Sequence, residues 1–268
     1  MGKDDKREYV NIKEFNPQII PISSTWMIIG KPGSGKSSFI ENMLYYNKHK
    51  YPVGRGFFGS ETSYNRFKRI MGDIFVTNHY SESELKEAVI RQKELTGEYG
   101  GKWGDEYGKK DYRNGSVIIL DDVATDPKIF KSELMNTIFK NSSQHGANLV
   151  MIGTQYAIDF PPALRTAVSY IALFREPNTD QREKLYKNFG GACGSKQNFN
   201  DLMDTLTGDY TCMIINQRTQ SNGLEDCVYY YKGKDPEKAF GNWKFGCEEY
   251  REWNKQRFNT SYKDNFII

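Results

Sequence analysis

Cysteine is scarce in this chain of 268 residues. Only Cys193, Cys212, Cys227 and Cys247 occur, and no two form a CxxC pair. That excludes a disulfide framework and a zinc ribbon. Histidine is scarcer still: His49, His79 and His145 have no metal-ligand spacing to one another or to the cysteines. A strong excess of charge is also lacking. Lys and Arg total 37 against 34 Asp and Glu, a formal net charge of +3. A basic coat of the histone kind is therefore excluded, and any contact with nucleic acid must rest on local charge. No apolar run approaches the ~20 residues of a membrane span. The charged start MGKDDKREYV is not a signal peptide. Position 6 is Lys, so the myristoylation pattern fails. A soluble, intracellular protein is the expectation.

What is present is apolar and aromatic. Hydrophobic residues make up 38% and aromatics 14%, enough for a real core. Short apolar strands recur between amphipathic helices. Thr25 to Gly30 (TWMIIG), Gly56 to Ser60, Ile74 to Thr77, Ser116 to Leu120 (SVIIL), Asn148 to Thr154 (NLVMIGT) and Ser169 to Phe174 (SYIALF) read as strands. Lys36–Asn47, Glu61–Met71, Ser81–Leu95, Pro127 to about Ser143, Asn178–Phe189 and Asn200–Leu206 read as helices. Tyr210–Asn216 and Cys227–Tyr231 pair as a late hairpin. The alternation predicts an α/β fold with a mostly parallel sheet flanked by helices. Residues 1–20 form an arm, 21–217 the core, and 218–268 a small C-terminal extension packed on it.

The most specific motif is GKPGSGKS, Gly30 to Ser37, which fits G-x-x-x-x-G-K-[ST] between a buried strand and a helix. The nucleotide-binding set is Gly30, Lys31, Pro32, Gly33, Ser34, Gly35, Lys36, Ser37 and Ser38. Its glycines let successive N–H groups face one anion, and the following helix adds its positive end. Lys36 places an ammonium against the β- and γ-phosphates of ATP, and Ser37 offers a hydroxyl to Mg²⁺. The strand VIILDD delivers two carboxylates at its C-terminal edge, where open α/β sheets bind ligands. Asp121 takes Mg²⁺ through water. Asp122 orients or deprotonates the attacking water, with a helix cap as the plainer alternative. Gln155 follows a wholly apolar strand and can sense the γ-phosphate or hold that water. Glu61 is the rival base. A nucleotide switch and a small-metabolite kinase are the competing classes. Neither accounts for the acid pair together with Gln155, and no arginine-rich lid follows the core.

In chain order, GKPGSGKS, GSETSYNRF, ELKEAVIRQKEL, VIILDD, MIGTQY and PPALRTAVSYIALFREP together resemble the poxvirus-type DNA-packaging ATPases of large nucleocytoplasmic DNA viruses, in the FtsK–HerA superfamily. The resemblance spans about residues 20 to 217. It implies a RecA-like P-loop NTPase core, a homo-oligomeric ring, and ATP-driven movement of double-stranded DNA into a capsid. It also implies capsid or portal partners and a place in the host cytoplasm at the viral factory, or in the virion. The family often carries an arginine shortly before the glutamine strand; here the segment reads NSSQHGANLV. Arg165 and Arg175 are then the nearest candidates for a finger reaching a neighbouring subunit's ATP, with surface ion pairs as the alternative reading. For DNA, the glycine-rich loop 98–115 offers Lys102, Lys109, Lys110 and Arg113 among aromatics, a phosphate-gripping set or an ordinary solvated insertion.

Overall fold

The computed structural model describes residues 12–98, 115–123, 128–140, 147–155 and 160–258. The proposed DNA contacts Lys102, Lys109, Lys110 and Arg113 lie outside the described residues, as do the tail beyond 258 and the first eleven residues.

In chain order the elements are β1 (Lys13–Glu14), β2 (Ser24–Ile29), α1 (Lys36–Asn47), β3 (Val53–Phe58), α2 (Glu61–Met71), β4 (Val76–Thr77), α3 (Glu82–Glu98), β5 (Gly115–Asp121), α4 (Glu133–Lys140), β6 (Ala147–Thr154), α5 (Pro162–Arg165), β7 (Tyr170–Leu173), α6 (Thr179–Phe189), α7 (Lys196–Leu206), β8 (Thr211–Asn216), α8 (Leu224–Cys227), β9 (Val228–Lys232), α9 (Pro236–Phe240) and α10 (Glu248–Arg257). The strands form one sheet in the order β1-β9-β8-β7-β2-β6-β5-β3-β4. Pairing is parallel throughout except that β8 runs antiparallel to both β7 and β9.

Burial on both faces explains the continuous apolar strands. Every residue of β2 and β5 is buried. Alternate side chains of β2 enter opposite cores. Trp26 and Ile28 join Phe39, Leu44, Phe67 and Phe245 on one side. Met27 and Ile29 join Leu120, Ile152, Leu173 and Phe199 on the other. The sheet is thus the middle of three layers.

Polar residues set the element boundaries. β3 stops at Phe58, two residues before the expected end at Ser60, whose side chain instead caps α2 by accepting from Ser63 N–H. Only Val76–Thr77 of the run IFVT is strand, since 73–75 form a 3-10 turn. The helix expected from Pro127 starts at Glu133 instead. Ser132 has extended backbone (φ −65°, ψ 151°), and its hydroxyl accepts from Met135 N–H at 3.2 Å. α7 starts at Lys196, four residues before the expected point, because Ser195 caps it. Tyr210, expected in a strand, sits in a turn at φ 60°.

Residues after 217 are integral to the layers. β9 adds to the sheet beyond β8, and β1 adds beyond β9. Phe245 and Tyr250 are buried, with Tyr250 Oη donating to Gly54 O at 2.9 Å. Trp243 Nε1 donates to Glu41 of α1 at 3.1 Å. Tyr231 Oη and Lys234 N–H both donate to Asn42 Oδ1 at 2.9 Å.

Candidate functional site

The strand order decides which residues meet. β6 is inserted between β2 and β5. Its register sets Thr154 beside Ile29 of β2, and Gly153 beside Asp121 of β5. The first residues past these three parallel strands therefore lie side by side at their carboxyl ends. They are Gly30, Gln155 and Asp122.

The loop from Gly30 to Gly35 turns the chain from β2 into α1. Gly33 and Gly35 have φ of 75° and 108°, the left-handed region where a side chain is strained. Gly35 is the N-cap of α1 and provides no side-chain cap, so the first amides of α1 remain available to an anion. Lys36 is 5% exposed. Its Nζ donates to Gly30 O at 2.8 Å and lies 3.4 Å from Asp122 Oδ2. Lys31, by contrast, turns outward to pair with Glu176 at 2.9 Å.

Ser37 Oγ donates to Asp121 Oδ2 at 2.8 Å and lies 2.8 Å from Ser63 Oγ. Asp121 is 1% exposed, and its Oδ1 has no hydrogen-bond partner among the described residues. Burial, and then the neighbouring Asp122, push its carboxyl above the usual range, while Ser37, Lys36 and Ser63 oppose the rise. A buried carboxylate oxygen without a partner calls for an explanation, and a nearby cation is one. A hydroxyl and one carboxylate suit Mg²⁺, which keeps several of its waters and takes few protein ligands. The residues present fit that ion. Among the described residues there is no cluster of three or more His, Cys, Asp or Glu that could hold a metal by itself.

Asp122 adopts φ 54°. Its N–H donates to Gly153 O at 3.0 Å, and Asp121 O accepts from Gly59 N–H at 2.9 Å. Two glycines make room for the pair. A Cβ on Gly153 would sit 2.1 Å from Asp121 Oδ1, and one on Gly59 would sit 2.1 Å from Asp122 O. Gly59, Ser63 and Gly153 are site residues to which the sequence reading assigned no role. Ser63 carried one faint signal, its place three residues after the capping Ser60.

The remaining candidates are spread around this centre. Glu61 occupies the first position of α2 and is exposed. Arg165 Nε donates to Phe160 O at 2.8 Å, and its Nη1 donates to Asn188 Oδ1 at 2.5 Å. Arg175 Nη1 donates to the carbonyls of Met203, Asp204 and Thr207 at the end of α7, and its Nη2 pairs with Asp204 at 2.8 Å. Both arginines thus have partners within their own chain.

No family model matches the chain. It is 34% identical over 97% of its length to uncharacterized protein 075L of Invertebrate iridescent virus 6, covering 99% of that protein. It is 31% identical over 83% of its length to uncharacterized protein 015R of Frog virus 3, covering 67% of that one. In solved structures, the genome packaging NTPase B204 of Sulfolobus turreted icosahedral virus 2, in complex with AMPPCP, matches 80% of this chain and 100% of its own. Its TM-score is 0.54 at 15% identity. The pCW3 conjugation coupling protein TcpA matches 87% of this chain and 65% of its own, with a TM-score of 0.55 at 12% identity. The chain therefore shares its fold with a genome packaging NTPase and a conjugation coupling protein.

Proposed function

The chain belongs to the family of the iridescent-virus protein 075L, and from that premise we propose that it is an ATP-hydrolysing motor that moves double-stranded viral DNA into a capsid. The observation that carries the chemistry is the convergence of Lys36, Ser37, Asp121, Asp122 and Gln155 at the ends of three adjacent strands. The DNA half of the reading is supported by the viral relatives and by the fold shared with a genome packaging NTPase.

Each residue has a task set by its surroundings. The α1 amides and Lys36 hold the phosphates of ATP and neutralise their charge. Ser37 and Asp121 are the residues that would hold Mg²⁺. Held there, the ion would supply positive charge against the negative charge that develops on the phosphates. Ser63 fixes the Ser37 rotamer. Asp122, 3.4 Å from Lys36 Nζ, orients the attacking water and accepts its proton. Gln155 holds the same water through its amide. Glu61, exposed at the start of α2, is the second candidate base. Arg165 or Arg175 serves as the finger only by exchanging its own-chain partners for a neighbour's ATP in a ring. The loop 98–115, with Lys102, Lys109, Lys110 and Arg113, grips DNA phosphates, and neutralising those four should flatten the salt dependence of DNA binding. The partners on this reading are copies of the same chain, duplex DNA, and a capsid or portal protein in the infected cell. Among the described residues no helix is long and apolar enough to cross a membrane.

The test is ATP hydrolysis with and without long double-stranded DNA. Stimulation by DNA that Lys36→Ala abolishes supports the motor. Hydrolysis indifferent to DNA favours a nucleotide switch, and phosphate transfer to a small metabolite favours a kinase.

A further inference from the structure

Asp122, Asp209 and Tyr210 are the non-glycine residues with left-handed backbone among the described residues. Asp122 flanks the phosphate loop on the β6–β5 side. Tyr210 flanks it on the other, where β7 and β8 lie beside β2. Gly208 to Thr211 form a tight turn closed by Thr211 N–H to Gly208 O at 2.8 Å. Its two central residues have φ of 48° and 60°, the mirror-image type I′ pattern that ordinarily takes Asn-Gly. Here tyrosine stands where glycine would be free of strain. Burial does not explain that choice, because Tyr210 is 61% exposed. No other aromatic ring pairs with it among the described residues, although eighteen tyrosines and sixteen phenylalanines fill the chain.

The ring nevertheless has a fixed place. A Cβ built on Gly35 would lie 3.2 Å from Tyr210 Cδ1 and 3.3 Å from the buried Phe174 ring. Tyr210 therefore stands at the start of α1, against the glycine that precedes Lys36. The turn is anchored on its far side, with Asp209 paired to Lys232 at 2.5 Å and Tyr210 O accepting from Gly233 N–H at 3.4 Å. Backbone strain held by surrounding contacts clusters at ligand sites, and the exposed Tyr210 ring offers a face to one.

A nucleotide lying along the loop has its γ-phosphate toward Asp122 and Gln155, so its nucleoside leaves on the opposite flank. We propose that Tyr210 is the stacking platform for the base of the bound nucleoside triphosphate. This deepens the ATPase reading and rests on it. Stacking accepts any base and favours the large purine faces. The subsite therefore adds affinity and a purine bias, and it does not read base edges.

The experiment compares Tyr210→Gly and Tyr210→Phe with wild type, measuring binding of Mg²⁺-ATP and of Mg²⁺-tripolyphosphate, which has no base. Glycine suits the turn, so Tyr210→Gly should melt no lower than wild type. Its affinity for ATP should fall about tenfold, its affinity for tripolyphosphate should not change, and Tyr210→Phe should match wild type for both. The inference is overturned if Tyr210→Gly binds ATP as wild type does, or if it loses tripolyphosphate by the same factor. Equal wild-type affinity for ATP and tripolyphosphate overturns the base subsite and leaves the phosphate-loop reading standing. A wild-type protein that binds neither overturns both.

Discussion

Asp121 can occupy its position only because Gly153, its neighbour across the β5–β6 ladder, has no side chain. A methyl there would meet a carboxylate oxygen at 2.1 Å, so the Asp121 side chain must turn away. Gly153→Ala should therefore abolish Mg²⁺-dependent ATP hydrolysis and cost about 1–3 kcal/mol of stability. Activity assays beside thermal melts would check this, and an active, stable variant would refute it. Ser63→Ala is gentler. It removes one hydroxyl from the Ser37–Asp121 contact and should reduce kcat about tenfold at saturating Mg²⁺ with an unchanged melting temperature, the scale of one lost polar contact. As candidates, Lys36 and Ser37 were legible in the sequence because their motif is contiguous and lies between a strand and a helix, and Asp121 because it ends an apolar strand. Ser63 and Gly153 were not. Their roles depend on register and on how α2 returns over the sheet, and neither is a local property of the chain.

Element boundaries follow the same division. α1 and α2 begin and end where the sequence predicts, since a phosphate-loop lysine, a capping serine and apolar periodicity all agree. α4 starts late because Ser132 competes for the backbone, and Tyr210 leaves its strand because the turn closes between Gly208 and Thr211. Arg175 illustrates how an element can claim a candidate site residue. Its guanidinium satisfies carbonyls at the end of α7, groups that a helix leaves without intrahelical partners. Arg175→Ala should lower stability by about 1 kcal/mol, the scale of a lost cap. If it is also the finger, rings mixing it with Lys36→Ala subunits should lose more ATPase than rings mixing wild type with Lys36→Ala. Equal rates in the two mixtures would leave Arg175 as a helix cap. The C-terminal segment is a further case. The aromatics Trp243, Phe245, Tyr250 and Trp253 suggest a stripe packed on the core; the structure sends Phe245 and Tyr250 into the core beside β3 and Trp243 against α1, but leaves Trp253 exposed. Phe245→Ala should cost about 3–5 kcal/mol, lowering the melting temperature by roughly 10 °C. A shift near zero would contradict that packing.

The described residues form a single sheet whose carboxyl edge carries the proposed nucleotide site, with the acid pair on one flank of the glycine-rich loop and Tyr210 on the other. Fold class was legible from alternating strands and helices, and β6 itself was legible as the apolar run before Gln155. The antiparallel hairpin of β8 and β9 was expected too, but the pairing of β8 with β7 and of β1 with β9 was not, because it leaves no periodic trace. The small net charge of +3 is compatible with a motor that releases DNA in every cycle, and it concentrates the expected DNA contact in a few residues. The most direct measurement is the steady-state ATPase rate with and without long double-stranded DNA, for wild type beside Lys36→Ala and Asp122→Asn. A DNA-stimulated wild type, with at least hundredfold loss in both variants, is the predicted result. A wild-type rate that DNA does not change, or an Asp122→Asn variant as active as wild type, would contradict it.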